Sequence, residues 1–220
     1  MKQTDKNAEL WRWGFYAIGT VCLALGLTLN TKTGLGVAPI LTVPFAISKL
    51  WNVNFAFVTF VVYSIFVVLQ FLLKGKNRNW KDILQFPFSM VFSLLLNLFG
   101  KLMPIAFSSV WQNLLLLAAA MVITAVGVSM MVNMRLIPNP ADGLANTLGE
   151  VTKKGMGTGK NILDLSCAGI AAVICLLCGK GIVGIGIGTL IAMIGVGRFI
   201  AVFQKYFRAK MLKKAALEER

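Results

Sequence analysis

Apolar residues run almost unbroken through six stretches, at 13–29, 53–73, 83–102, 114–134, 158–178 and 182–203. At roughly 20 residues, each is long enough to cross a ~30 Å hydrocarbon core as a helix. Two further segments, 39–50 and 140–151, are too short to cross and begin at Pro39 and Pro140. They are expected as re-entrant or interfacial helices. In 140–151 the apolar residues Ala141, Leu144, Ala145, Leu148 and Val151 follow a helical i, i+3, i+4, i+7 pattern. Asn139 stands where an N-cap would, with Pro140 at the first helical position. The pattern predicts an all-α, polytopic transmembrane bundle of six spans plus two short Pro-initiated helices. It forms one domain over residues 1–220, with polar tails at 1–12 and 204–220.

Composition points to the same solvent. The chain is 57% hydrophobic and 14% charged, whereas soluble domains carry about 25% charged residues. The net charge of +14 would suggest nucleic acid in a soluble protein. Here the basic residues sit in connections and tails, so they read as orientation signals and nucleic acid is set aside. With both termini on the cytoplasmic side, 18 Lys and Arg fall inside, and Lys32, Lys49, Lys101 and Lys180 fall outside. The expected location is the cytoplasmic membrane, with both termini cytoplasmic.

The two halves, 13–102 and 114–203, share one order of elements: span, short helix, two spans. A shift of 101 positions pairs Gly26 with Gly127 and Pro39 with Pro140. Three spans per half would invert the second copy. Inverted repeats are a frequent transporter architecture, with the site near the midplane.

Chemistry is concentrated in the second half. Asn139, Asp142 and Asn146 share a helix face. Thr158, Asn161 and Asp164, three apart, are expected to share a face of the fifth span. A carboxylate inside a span is costly unless paired, hydrated or protonated. Asp164 therefore marks a solute, ion or proton site, or else an ion pair locking the spans together. Arg135, Lys160 and Arg198 are its available partners. Asp142 either joins that site or points to water from a helix lying on the surface. Thr189, in the run from Gly184 to Thr189 with its alternating glycines, either lines a passage or sits where helices pack closely. No histidine occurs, and Cys22, Cys167, Cys175 and Cys178 all lie in apolar runs. Neither an enzyme, a metal site nor a cofactor is expected.

The segments GLGVAP, NPADGLANTL and GIGIGTLIAMIGVGRFI are similar to those of the YczE/YyaS/YitT-like family of bacterial integral membrane proteins. Asp142-Gly143-Leu144 and Gly186-Ile187-Gly188-Thr189 carry the resemblance. In the first half Pro39 is present, but Ile40 and Leu41 stand where an acidic residue often follows in that family. The resemblance implies a fold and a membrane location and supplies no substrate.

The expected function is a small-solute transporter or permease. Asp142, Asp164, Asn139, Asn146, Asn161 and Thr189 are its candidate site residues, and two acids favour a polar or cationic solute. The alternative is a non-transporting assembly or sensing partner acting through the basic tail. The bilayer is the one partner expected in either case. Substrate and oligomeric state are not legible.

Overall fold

The computed structural model describes residues 3–217, with side chains throughout except at residues 3–5 and 77. Among the described residues the chain is all helix and connection, with no strand. Six helices are long and apolar enough to cross a membrane. They are α1 (Gln3–Lys32), α3 (Phe55–Lys74), α4 (Gln85–Leu102), α5 (Val110–Met134), α7 (Gly155–Leu177) and α8 (Ile187–Lys214). The two short helices are α2 (Thr42–Trp51), which follows a single 3-10 turn at Pro39–Leu41, and α6 (Pro140–Val151).

Local chemistry sets the boundaries. Asn54 caps α3 by accepting from the Phe57 amide at 3.1 Å. Asn139 caps α6 by accepting from the Ala141 amide at 3.1 Å. Pro87 falls in the first turn of α4, where no amide is needed for the helix ladder. Asn52 and Arg135 end α2 and α5 in the left-handed conformation, at φ of 53° and 51°.

α1 and α5 run antiparallel along the centre. The Arg12 guanidinium, near the start of α1, donates to the carbonyls of Met134 and Arg135 at the end of α5 (2.8 and 3.0 Å). α4 flanks α1, and α8 flanks α5. α2 and α6 are each wedged between α3 and α7. α6 therefore does not lie flat on the surface: Ala141, Gly143, Leu144, Ala145, Thr147 and Gly149 are all buried. Bare backbone makes the approach to α7 possible. A methyl at Gly159 would collide with the Ala145 carbonyl, and one at Gly149 with the backbone of Gly155.

The last span departs from expectation. Residues 182–186 are not helical, and α8 begins at Ile187. Gly184 sits at φ 82°. The backbone here pairs with 35–37 instead: the Val37 amide donates to the Gly184 carbonyl and the Gly188 amide to the Leu35 carbonyl, both at 2.8 Å. Glycine gains least from a helix, and this exchange replaces the helical bonds it forgoes. The expected basic tail is also not separate. α8 continues to Lys214, about 42 Å at ~1.5 Å per residue, which exceeds a ~30 Å hydrocarbon core. Met211, Leu212 and Ala215 are buried.

Charge segregates to the two ends of the bundle. Lys214 stacks over the Trp11 ring at 4.6 Å, so the two described chain ends share one end. At the other end, Lys32, Lys49 and Lys101 line one open depression, and Lys180 donates to the Leu50 carbonyl.

Candidate functional site

Asp142 and Asp164 come together in one cavity. Asp142 lies in the first turn of α6, where the partial positive charge of the helix start favours a carboxylate. Asp164 lies on α7, on the face shared with Lys160 and Met156. That face advances by four residues, not three. Three-residue spacing drifts around a 3.6-residue helix, so Asn161 turns away and is exposed, while Lys160 takes the place expected for it. The Lys160 ammonium reaches Asp164 Oδ2 at 3.4 Å. Asp164 Oδ1 is buried and has no hydrogen-bond partner.

The cavity has a volume of about 80 Å³. A single water needs roughly 10–15 Å³ by this measure, so several fit. It is lined by α1, α5, α6, α7, α8 and the turn at Pro39. The starts of both short helices reach it, through Ala38, Pro39 and Asn139. Asn30 of α1 also lines it. Asn30 is 3% exposed, and its Oδ1 has no partner. Nothing in the local sequence singles out Asn30, which lies at the edge of the first apolar run.

A second cavity of about 220 Å³ lies toward the end that carries the chain termini. Asn139, Asp142 and Met156 line both cavities, so Asp142 stands between them. Arg135 and Asn146 line the second cavity, and Asn146 is otherwise engaged by Glu150 Oε1 at 2.7 Å. Its remaining polar wall is a cluster absent from the sequence-based site. Lys74 pairs with Asp82 at 2.7 Å. Gln85 Nε2 donates to Asp82 Oδ1 (3.4 Å) and to Gln70 Oε1 (3.3 Å). Gly143 of α6 sits directly on the two glutamine oxygens. Glutamines 15 residues apart in two apolar runs carry no local signal, and the fold alone brings them together.

Burial pushes the Asp142 carboxyl above the ordinary carboxylate range. Lys160 pulls it down and Asp164 pushes it further up. Tyr63 of α3, at the position 101 residues before Asp164, is fully buried. Its hydroxyl lies beside Asn139 and Asp142 without a hydrogen bond of proper geometry.

Thr189 and Arg198 lie outside both cavities. Thr189 is buried toward the opposite end, where its hydroxyl accepts from the Gly186 amide at 3.2 Å and abuts Gly36. Arg198 projects from the exposed face of α8, because the cavity face of that helix runs through Ala192, Val196 and Ile200. Lys160 is the cation that reaches Asp164, and Arg198 lies away from it on the exposed face of α8.

Residues 10–205 match a family described as a family of unknown function, DUF6198. The chain belongs to that family. No curated protein and no solved structure matches it. The DUF6198 match spans every element that lines the two cavities. It agrees with membership of a family without assigned activity. The likeness to the YczE/YyaS/YitT-like proteins rests on sequence motifs alone.

Proposed function

We propose that this protein is a small-solute transporter of the cytoplasmic membrane, with Asp142 and Asp164 as the centre of its site. The observation that carries this reading is the position of Asp142, a buried-side carboxylate lining two cavities in series. Such an arrangement suits a solute path. Asn139 and Asn30 supply neutral oxygens, and Lys160 supplies a counter-charge. No nucleophile–base pair is assigned, and the reading is not enzymatic.

The architecture we infer is a 3+3 inverted repeat. It is supported by reciprocal neighbours: α4 beside α1 matches α8 beside α5, and α6 against α3 matches α2 against α7. The lysine and arginine distribution supports placing the end with the chain termini in the cytoplasm. The second cavity then faces inward.

The test is solute accumulation in cells or proteoliposomes. Asp164→Asn should lower uptake at least about tenfold with the protein folded, because one charged partner is lost from the site. Unchanged uptake would sink the reading. A second reading takes the protein as an assembly or sensing partner. It is favoured by the exposed Lys205, Lys210, Lys213 and Lys214 on the last turns of α8, which suit an acidic protein or anionic lipid. A partner lost on charge reversal of those lysines, with no solute phenotype, would support it.

A further inference from the structure

We propose that the site is loaded sideways from the bilayer through a gap between α7 and α8, and that its ligand is a cationic amphiphile, an organic ammonium on an apolar body. This rests on the transporter reading above and narrows its substrate class.

The first observation is the gap itself. One wall of the inner cavity is Met156, Lys160 and Asp164 on α7. The facing wall is Ala192, Val196 and Ile200 on α8. Both sets recur every four residues, so each forms a continuous strip along its helix. Among the described residues α7 and α8 make at most a marginal contact, whereas α3 and α4, their counterparts in the first half, pack against each other. The cavity is what separates them. Met156 is 38% exposed, and the Lys160 side chain 31%, so the strip on α7 is open to the surroundings at its Met156 end.

The second observation is the distribution of polarity. Beyond the acid cluster, Asn30 and Thr124, the walls are apolar, with Leu23, Leu27, Met121 and Val128 continuing the lining from α1 and α5. A hydrated ion gains nothing from such walls, whereas a hydrocarbon body does. The cavity of about 80 Å³ holds a headgroup but not a drug-sized molecule, for which pockets run to about 300 Å³ or more. The body of the ligand would therefore lie in the gap.

The third observation is chemical. The cavity holds two carboxylates and one ammonium, leaving one negative charge. It also holds two buried oxygens with no donor, Asp164 Oδ1 and Asn30 Oδ1. A primary ammonium carries one positive charge and three N–H donors. Its charge and its donors both match what is missing. A carboxylate or phosphate head would meet Asp142 and Asp164 and be repelled.

The experiment uses the full chain in nanodiscs of neutral lipid, with thermal unfolding as the readout. The three probes are 2-phenylethylamine, ethanolamine and phenylacetate. The first has both head and body, the second the head alone, the third the body with the opposite charge. Saturable stabilisation is expected from 2-phenylethylamine, at least about tenfold weaker apparent affinity from ethanolamine, and none from phenylacetate. Asn30→Ala and Asp164→Asn should each weaken 2-phenylethylamine about tenfold or more. Val196→Trp, filling the gap, should abolish its effect. If that variant does not fold, the comparison of the three probes still decides. Equal responses to ethanolamine and 2-phenylethylamine would overturn the amphiphile and point to loading through the polar cavity. A response to phenylacetate alone, or to no probe, would overturn the ligand class. All these outcomes are independent of whether Asp164→Asn abolishes transport, which tests the functional reading itself.

Discussion

Gly26 and Gly127 occupy reciprocal places at the crossing of α1 and α5. Gly26 rests on Ala120 and Thr124, with the Ala120 carbonyl 2.9 Å from where its Cβ would stand. Gly127 rests on Gly19 and Leu23, with the Gly19 carbonyl at 2.7 Å. Each residue and each neighbour lies 101 positions from its counterpart. In lipid, two central helices gain little from burying apolar area and associate by close van der Waals approach. Glycine at these two positions brings the backbones together and sets the antiparallel axis on which the halves meet.

Gly127→Val and Gly26→Leu should therefore each lower stability by about 1–3 kcal/mol or more, since an added side chain meets backbone that cannot move aside. Gly14, in the same α1, has no neighbour within 4 Å of its Cβ position. Gly14→Ala should be neutral or stabilising by about 0.5–1 kcal/mol. Thermal unfolding of the purified variants separates the two outcomes.

Removing one member of the Lys160–Asp164 pair should cost more than removing both. Lys160→Met leaves a buried carboxylate without a partner. A fully buried pair broken this way loses about 3–5 kcal/mol. The Lys160 side chain is 31% exposed, so about 1–3 kcal/mol is expected after solvent screening. The double variant Lys160→Met with Asp164→Asn should recover most of that loss. A double-mutant cycle in unfolding free energy measures it.

Asp142 makes stability depend on pH in a defined direction. Its folded-state proton affinity is raised above the unfolded value, chiefly by burial. Below the unfolded-chain pKa the carboxyl is protonated in both states and adds no cost. As pH rises from there toward the folded-state pKa, the unfolded state loses its proton first and folding loses stability. Asp142→Asn should remove that slope. The variant should gain in melting temperature over wild type near neutral pH and show little difference near pH 4. An equal shift at both pH values would contradict it.

Gly143→Ala and Gly159→Ala should differ in severity. The methyl at Gly143 meets the Oε1 atoms of Gln70 and Gln85, ends of side chains that can turn aside. About 1–2 kcal/mol is expected, together with loss of the Gln85–Asp82 contact. The methyl at Gly159 meets the Ala145 carbonyl, part of a helix backbone. That variant should lose more, and expression with a monodisperse elution profile distinguishes the two before any unfolding is measured.

The apolar runs themselves determined much of this molecule. Spans of about 20 residues, prolines at 39 and 140, and the lopsided placement of lysine and arginine are local properties. They dictate six helices long and apolar enough to cross a membrane, two short ones and two ends of different charge, because an apolar run of about 20 residues satisfies its own backbone in lipid as a helix. Asn139 as a cap and Asp164 as a carboxylate inside a span were legible for the same reason: a polar group amid apolar residues is conspicuous. The place of Asp142 was open between the site and the surface, and the burial of α6 decided it. The glycine run at 184–188 misled, because its helical appearance depended on composition while its structure depended on residues 35–37, far away in the chain.

The tertiary structure alone decided which polar residues meet. Asn30 joins Asp164, and Gln70 joins Gln85 and Asp82. Thr189, Asn161 and Arg198 are carried elsewhere. The physical reason is rotational. A helix in lipid can bury any of its faces, and the face chosen is set by where glycines such as Gly26, Gly127 and Gly159 let backbones touch. Those contacts join residues some 100 positions apart in α1 and α5, which no local pattern specifies.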